Sequence, residues 1–294
     1  MATISVTEPT LRDRALKSLD RLPPLSNSVG SLLAKLAFRN VEFEDLADMV
    51  TKDTLLCGHI LKTVNSAGFA RARTITSLQQ AMTLLGLSRL RRIAVSFSVT
   101  NLFSKTRTPP SWSRTRFNLH SAATAILAEL IADAVPGPNR QGAFVGGLLH
   151  DIGKLLIAVS APQQFEMTMG LASASGRSLV DCEREVLGTD HAELSGLALT
   201  RWCLPEPVCR AVFHHHAPDL CEQLQAHPAS DYLWLALVLQ RADHFINYLG
   251  ISVTEQASRE PGLPSLEIPG YSYSASEVLE RFQKEWKELS PFFK

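Results

Sequence analysis

Three observations predict an all-α protein. Apolar residues recur three and four positions apart along nearly the whole chain, no stretch alternates convincingly with a period of two, and Ser, Asp, Gly and Pro stand where helices would start and stop. The expected architecture is two-lobed: a helical lobe over 1–108, a second helical bundle over 109–250, and a loop plus a closing helix over 251–294 that packs on the body.

Taken in order, residues 10–20 read as a short lead-in helix closed by Leu22-Pro23-Pro24. Ser26 or Asn27 can cap a helix with Val29, Leu32, Leu33, Leu36 and Ala37 on one face. Phe43 to Val50 makes the next, with Glu44 and Asp45 at its positive end. Asp53 is placed to cap Thr54 to Asn65, whose stripe is Leu56, Ile60, Leu61 and Val64, and Asn65-Ser66-Ala67-Gly68 ends it. Ser77 opens a helix that Gly86 stops as a left-handed cap, and Ser88 opens another running to about Phe103. Lys105 to Ser111, with Pro109-Pro110, is the best boundary in the chain.

Beyond it, Ser113 to Ala134 is a long helix ending before Pro136-Gly137-Pro138. Asn139 to Val159 is strongly apolar, and Ala161-Pro162 closes it. Phe165 to Ser173 and Ser178 to Leu187 follow, ended by Ser175-Gly176 and by Gly188. Asp190 with Glu193 resembles a capping box and opens a helix to Trp202. Pro207 suits the first turn of the next, which ends in His214-His215-His216-Ala217-Pro218. Ser230 caps Leu233 to Leu249. Residues 251–274 form a loop, and Glu277 to Leu289 is an amphipathic helix.

Composition narrows the function classes. The chain has 294 residues, 45% of them hydrophobic and 20% charged, with 29 basic against 29 acidic side chains. A net charge of zero argues against a chain that binds nucleic acid or membrane surfaces as a whole. The N-terminus lacks the basic and apolar regions of a signal peptide, and no apolar run approaches the roughly 20 residues of a membrane helix. Five cysteines without a C-x-x-C suggest neither a disulfide framework nor a thiolate zinc site. The expectation is a cytoplasmic protein with reduced thiols.

The chemistry concentrates at Gly146-Gly147-Leu148-Leu149-His150-Asp151-Ile152-Gly153-Lys154. A carboxylate set between two core-forming runs costs several kcal/mol unless it is paired or coordinated. Further ligand-capable groups sit in or at the ends of apolar helices: His120, His191, His214, His215 and Asp243. Singly, each has an ordinary explanation, such as a hydrogen-bonded core histidine, a solvated carboxylate, or imidazoles favouring a helix C-terminus. As a set on five helices, imidazoles and carboxylates without thiolates suit Fe, Mn, Zn, Ni or Co in a bundle core, as one or two ions.

The run Gly147 to Lys154, with His120 upstream and Ala242-Asp243 downstream, resembles the signature of the HD superfamily of metal-dependent phosphohydrolases. Within it the chain is similar to the HDOD family, the HD-related output domain of bacterial signalling. The similarity rests also on Leu22-Pro23-Pro24-Leu25, on Ile60 to Ala67, on Ile75-Thr76-Ser77-Leu78, and on His191 through Trp202-Cys203-Leu204-Pro205 to His214-His215-His216-Ala217-Pro218. The resemblance implies an HD-type bundle as the second lobe, with a metal held by His120, His150, Asp151 and Asp243. It further implies a second ion at His191, His214 and His215.

In an active site Asp151 would bridge the ions, and Lys154 would reach a phosphate oxygen or else snorkel to the surface. The family reading is a signal-transduction module that works through partner proteins. The rival is an active phosphohydrolase acting on a nucleotide, a cyclic dinucleotide or another phosphoester. The Gly-Tyr-Pro motif of cyclic di-GMP phosphodiesterases is absent, which weakens the cyclic-dinucleotide form.

Charge is uneven along the chain. No acidic residue lies between Asp53 and Glu129, while Lys62, Arg71, Arg73, Arg89, Arg91, Arg92, Lys105, Arg107, Arg114 and Arg116 do. Such a face attracts anions, but without aromatic interleaving it favours the chain's own acidic parts or an acidic partner over nucleic acid.

Overall fold

The computed structural model describes residues 11–22, 30, 33, 43–66, 75–104, 106–135, 140–217, 219–253 and 264–293. Among these residues every regular element is a helix and there is no strand. The predicted Pro23-Pro24 stop, most of the 26–37 helix, Ala67-Gly68, Arg71, Arg73, Lys105, Pro136 to Pro138 and Pro218 lie outside the described residues. Of the 26–37 helix, Leu33 is helical and fully buried.

The first helices follow their local signals. Helix α1 (Leu11–Lys17) runs into a 3-10 turn at Ser18–Arg21, and α2 spans Phe43–Lys52. In α3 (Thr54–Ser66) the Asp53 carboxylate accepts from the Leu55 and Leu56 amides at 3.0 Å, a cap worth about 1 kcal/mol. Asn65 then ties two segments together: its amide donates to the Leu61 and Ile75 carbonyls and its oxygen accepts from the Ile75 amide.

Helix α4 (Leu78–Leu102) starts at Ser77 and is broken once, at Gly86. There φ is 73° and ψ 169°, so the backbone is extended with positive φ rather than the expected left-handed helical cap. The break makes one kinked helix of the two predicted.

Helix α5 (Arg114–Ala134) is the centre of the molecule. Ala122, Ala123, Ala125, Ile126, Leu127, Ala128, Leu130 and Ile131 are all buried, so the helix is covered on every side, as an apolar circumference requires. Its many alanines let α6 (Gly142–Leu149), α13 (Asp231–Tyr248) and α14 (Ala275–Leu289) pack against it.

The apolar stretch after Asn139 is two helices, α6 and α7 (Ile152–Ser160), interrupted at His150-Asp151. Contrary to the sequence expectation, Gly142–Ser160 is apolar enough for a membrane span by length and composition, with mean hydropathy 1.5 over an 18-residue window. It is 94% buried inside the protein and broken at its middle, which makes it core.

Helices α8 (Pro162–Ser175) and α9 (Leu179–Leu187) end on left-handed Gly176 and Gly188 as predicted. Helix α10 (His191–Arg201) is capped by Asp190, which accepts from the Glu193 amide at 2.8 Å. Glu193 does not return the bond to the Asp190 amide expected of a capping box; it takes the Thr189 hydroxyl instead.

Helix α11 (Glu206–His214) follows, then a short helix that the sequence reading missed, α12 (Leu220–Ala226), opened by Asp219 at φ 60°. Ser230 stands at the N-cap of α13 without making a side-chain cap bond.

The arginines of α4 are consumed internally. Arg91 and Arg92 both pair with Glu129 of α5, Arg92 also pairs with Glu285, and Arg89 pairs with Glu288 of α14. These three arginines thus pair with the chain's own glutamates, while Arg114 donates to the Phe103 and Thr106 carbonyls.

Candidate metal centre

Six elements deliver ligand-capable groups to one point. His120 lies in the first half of α5, and Asp243 lies in the second half of α13. His150 and Asp151 occupy the break between α6 and α7, where Asp151 has φ −101° and ψ 8°. That sparsely populated backbone region frees the pair from both helices and lets adjacent side chains converge. His191 opens α10, and His215 and His216 form the turn after α11. All but His216 are buried, and His216 is partly so.

The donor atoms form two overlapping groups, each within 4.8 Å: His120, His150, Asp151 and Asp243, and Asp151, His191, His215 and His216. His120 Nε2 is 3.2 Å from Asp151 Oδ2 and 3.1 Å from Asp243 Oδ1, and His150 Nε2 is 3.4 Å from both carboxylates. His191 Nε2 is 3.3 Å from Asp151 Oδ1 and 3.0 Å from His216 Nε2. Asp151 belongs to both groups, one oxygen facing each.

The rings are held from behind. The Nδ1 atoms of His120, His150 and His215 donate to the Ile251, Gly147 and Val212 carbonyls at 2.7, 2.8 and 2.6 Å. Glu183 accepts from His191 Nδ1 at 2.6 Å and from its backbone amide at 2.8 Å. Carbonyl and carboxylate oxygens only accept, so each neutral ring keeps its proton on Nδ1 and turns the Nε2 lone pair inward. Lone pairs and carboxylates converging in a buried volume call for a cation.

Two buried atoms, Asp151 Oδ1 and His215 Nε2, have no hydrogen-bond partner, at a cost of about 1–3 kcal/mol each. The donor set and these orphaned atoms fit a divalent transition ion.

Titration reflects the same tension. Burial would raise Asp151 and Asp243, but neighbouring imidazoles, and Lys154 in the case of Asp151, hold both carboxyls well below their usual range. Burial lowers His120, yet its hydrogen bonds to both aspartates outweigh this and lift it to about 9. Burial and the nearby His150 and His191 push His215 down to about 3.

Two glycines permit this convergence. A Cβ on Gly153 would lie 2.1 Å from the His191 carbonyl oxygen, and one on Gly147 would lie 2.7 Å from Ala125 Cα. Ser195 completes the α7–α10 junction, accepting from the Gly153 amide and donating to the His191 carbonyl.

Lys154 is no snorkelling surface residue: it is 8% exposed, and its Nζ donates to Asp151 Oδ2 at 2.7 Å. A cavity of about 420 Å³ opens from the cluster, with Lys154, His191, His216, Asp243 and His244 on its inner wall.

Of the residues singled out from the sequence, His120, His150, Asp151, His191, His215 and Asp243 meet here, with Lys154 beside them. His214 does not. As the last residue of α11 it turns the other way, its ring 5.6 Å from Tyr232, and it lines a separate groove with Phe213. His216 stands in its place.

The sequence reading also missed three supporting residues. Glu183 orients His191, and Asn247 donates to Asp243 Oδ1 at 2.8 Å from one turn away. His244 forms a further donor group with His216 and Asp243. Only Asn247, four residues beyond Asp243 on a helix, left a signal in the sequence.

Comparison with known proteins agrees with this fold. The sequence profile of the HDOD domain family matches residues 22–218. The crystal structure of an HDOD domain protein of unknown function from Geobacter sulfurreducens superposes with a TM-score of 0.72 at 22% identity, covering 95% of this chain and 97% of that one. A provisionally assigned phosphohydrolase from Shewanella amazonensis SB2B gives 0.68 at 22% identity, with the same coverage. At this identity the likeness is one of fold. An uncharacterized protein of Treponema pallidum (strain Nichols) is 25% identical over 215 residues, 70% of this chain, and the match spans 40% of that protein's length.

Proposed function

The chain belongs to the HDOD domain family, and on that premise we propose that its His/Asp cluster is a two-ion metal centre acting on phosphoesters. The observation that carries this reading is the complete, inward-facing donor set around Asp151, opening into a 420 Å³ cavity. His120, His150, Asp151 and Asp243 would hold one ion, and Asp151, His191, His215 and His216 the other. Imidazole and carboxylate without thiolate suit Fe, Mn, Zn, Co or Ni. Such ions, when bound, supply Lewis acidity to a phosphoryl oxygen and a nucleophile at neutral pH by lowering the pKa of water from about 15.7 towards about 7.

The chain's own groups prepare that chemistry. Glu183 and the three backbone carbonyls fix the imidazoles in the ligating tautomer before anything binds. Lys154 positions Asp151 and stands on the cavity wall, where its ammonium can also take an oxygen of an entering phosphate. The buried walls exclude bulk water from the carboxylates.

A second reading is a regulatory module that signals through partner proteins, the metal centre being structural or ligand-sensing. It is favoured by His216-Ala217-Pro218 standing where a cyclic-dinucleotide hydrolase would continue towards Gly-Tyr-Pro.

Metal analysis of the purified protein, followed by a generic phosphodiester assay with added Mn or Fe, separates the two. Turnover abolished in Asp151→Ala supports the hydrolase. Bound metal with no turnover on any phosphoester supports the module, and protein that takes up no transition metal refutes both forms of the centre.

A further inference from the structure

The cavity that opens from the cluster holds a second cation that the metal chemistry does not use. Arg184 of α9 lines it together with Lys154 and His216. Its Nε donates to Asp190 Oδ2 at 2.7 Å, and Asp190 is itself fixed as the α10 cap by the Glu193 amide. One edge of the guanidinium is thus anchored on a buried carboxylate, while the side chain as a whole remains half exposed. A half-exposed guanidinium anchored through Nε keeps further N–H groups with which it can receive phosphate or carboxylate oxygens.

Asp181, an acidic residue of the same lining, accepts from the Ser178 hydroxyl at 2.7 Å in the first turn of α9. Leu179, Val180 and the 44% exposed Tyr248 line the same cavity and offer apolar surface to the body of an organic ligand. A volume near 420 Å³ lies within the roughly 300–1,000 Å³ of small-molecule sites.

We propose that Arg184 binds a second anionic group of the ligand, so that this cavity selects phosphoesters that carry an additional phosphate or carboxylate away from the one at the metal centre. The inference rests on the metal-centre reading and specifies its ligand class.

The test uses metal-loaded full-length protein freed of excess metal and two probes, adenosine 5′-monophosphate and adenosine 3′,5′-bisphosphate, titrated calorimetrically. The wild type should bind the bisphosphate about tenfold or more tightly than the monophosphate, the effect of one charge-assisted contact. Arg184→Gln should bring the two within about twofold while leaving monophosphate affinity, metal content and thermal midpoint unchanged. Arg184→Lys, which keeps the charge but not the fork, should retain part of the preference. A wild type with no preference, or an Arg184→Gln protein that keeps it, overturns the proposal. So does an Arg184→Gln protein that loses metal or monophosphate binding, because Arg184 is then a prop for α10. Wild-type protein that binds neither metal nor monophosphate instead sinks the metal-centre reading beneath it.

Discussion

His214 and His216 are two positions apart and face opposite sides of the polypeptide. Successive residues at a helix end rotate by about 100°, so three consecutive histidines cannot all reach one point. His214 completes α11 and lies tilted against Tyr232, whereas His215 and His216 fall in the following turn and enter the cluster. His216→Ala should therefore lower the metal stoichiometry measured by elemental analysis, and His214→Ala should leave it at the wild-type value. Equal loss in both variants would contradict the assignment. Glu183 makes a subtler case, because it touches His191 from behind. Glu183→Gln keeps the shape but weakens the grip on Nδ1, and should reduce metal affinity about 10–100-fold without changing the fold. Competition with a coloured chelator reads that change directly.

At the scale of elements, the glycines decide how closely helices approach. Gly153 and Gly170 both lie in helices, and on propensity alone alanine should improve each by about 0.5–1 kcal/mol. Their surroundings separate them. Nothing lies within 4 Å of a Cβ on Gly170, while one on Gly153 would collide with the His191 carbonyl at 2.1 Å. Gly170→Ala should raise the urea midpoint slightly. Gly153→Ala should cost about 2 kcal/mol or more by forcing α7 and α10 apart, and should lower metal content along with stability. Two unperturbed midpoints would show that the α7–α10 contact is looser than it appears in the fold.

On the scale of the whole molecule, the C-terminal helix is fastened to the body by its buried Val278, Phe282 and Leu289 and by charge. Glu129 receives both Arg91 and Arg92, and Arg92 also reaches Glu285, with Arg92 only 6% and Glu129 12% exposed. Glu129→Gln takes the carboxylate from Arg91 and leaves Arg92 with Glu285 alone in a largely dry interface, and should cost about 3 kcal/mol in chemical denaturation. Arg177→Ala, which breaks the exposed pair with Glu185, should leave the midpoint in place.

His59 is stacked on Phe97 at 4.7 Å and bonded to the Phe292 carbonyl at 2.8 Å, linking α3 to the C-terminal 3-10 turn. Burial depresses its pKa below 6.5, with Lys62 adding to the effect and the carbonyl opposing it. The unfolded chain therefore takes up this proton first as pH falls, so the His59 contribution to stability is intact above about 6.5 and declines below it. The difference in midpoint between wild type and His59→Gln should shrink as pH drops through that window, and a constant difference would refute the linkage.

What could be read without coordinates follows a rule of locality. Helix starts at Asp53, Ser77, Ser113, Ser178 and Asp190, and the stops at Gly176 and Gly188, depend on residues within four positions of one another. The all-α class, the breaking residues and most of the ligand-capable set were therefore legible. The break at His150-Asp151 was not, because apolar periodicity runs straight across it and only convergence with α5 and α13 bends the chain there. Nor were Glu183 behind His191, the choice of His216 over His214, or Arg184 facing the same cavity as Lys154. Those relations join residues on different helices, and their distances are set by how α5, α7, α10 and α13 pack, a property of the assembled core rather than of any stretch of chain.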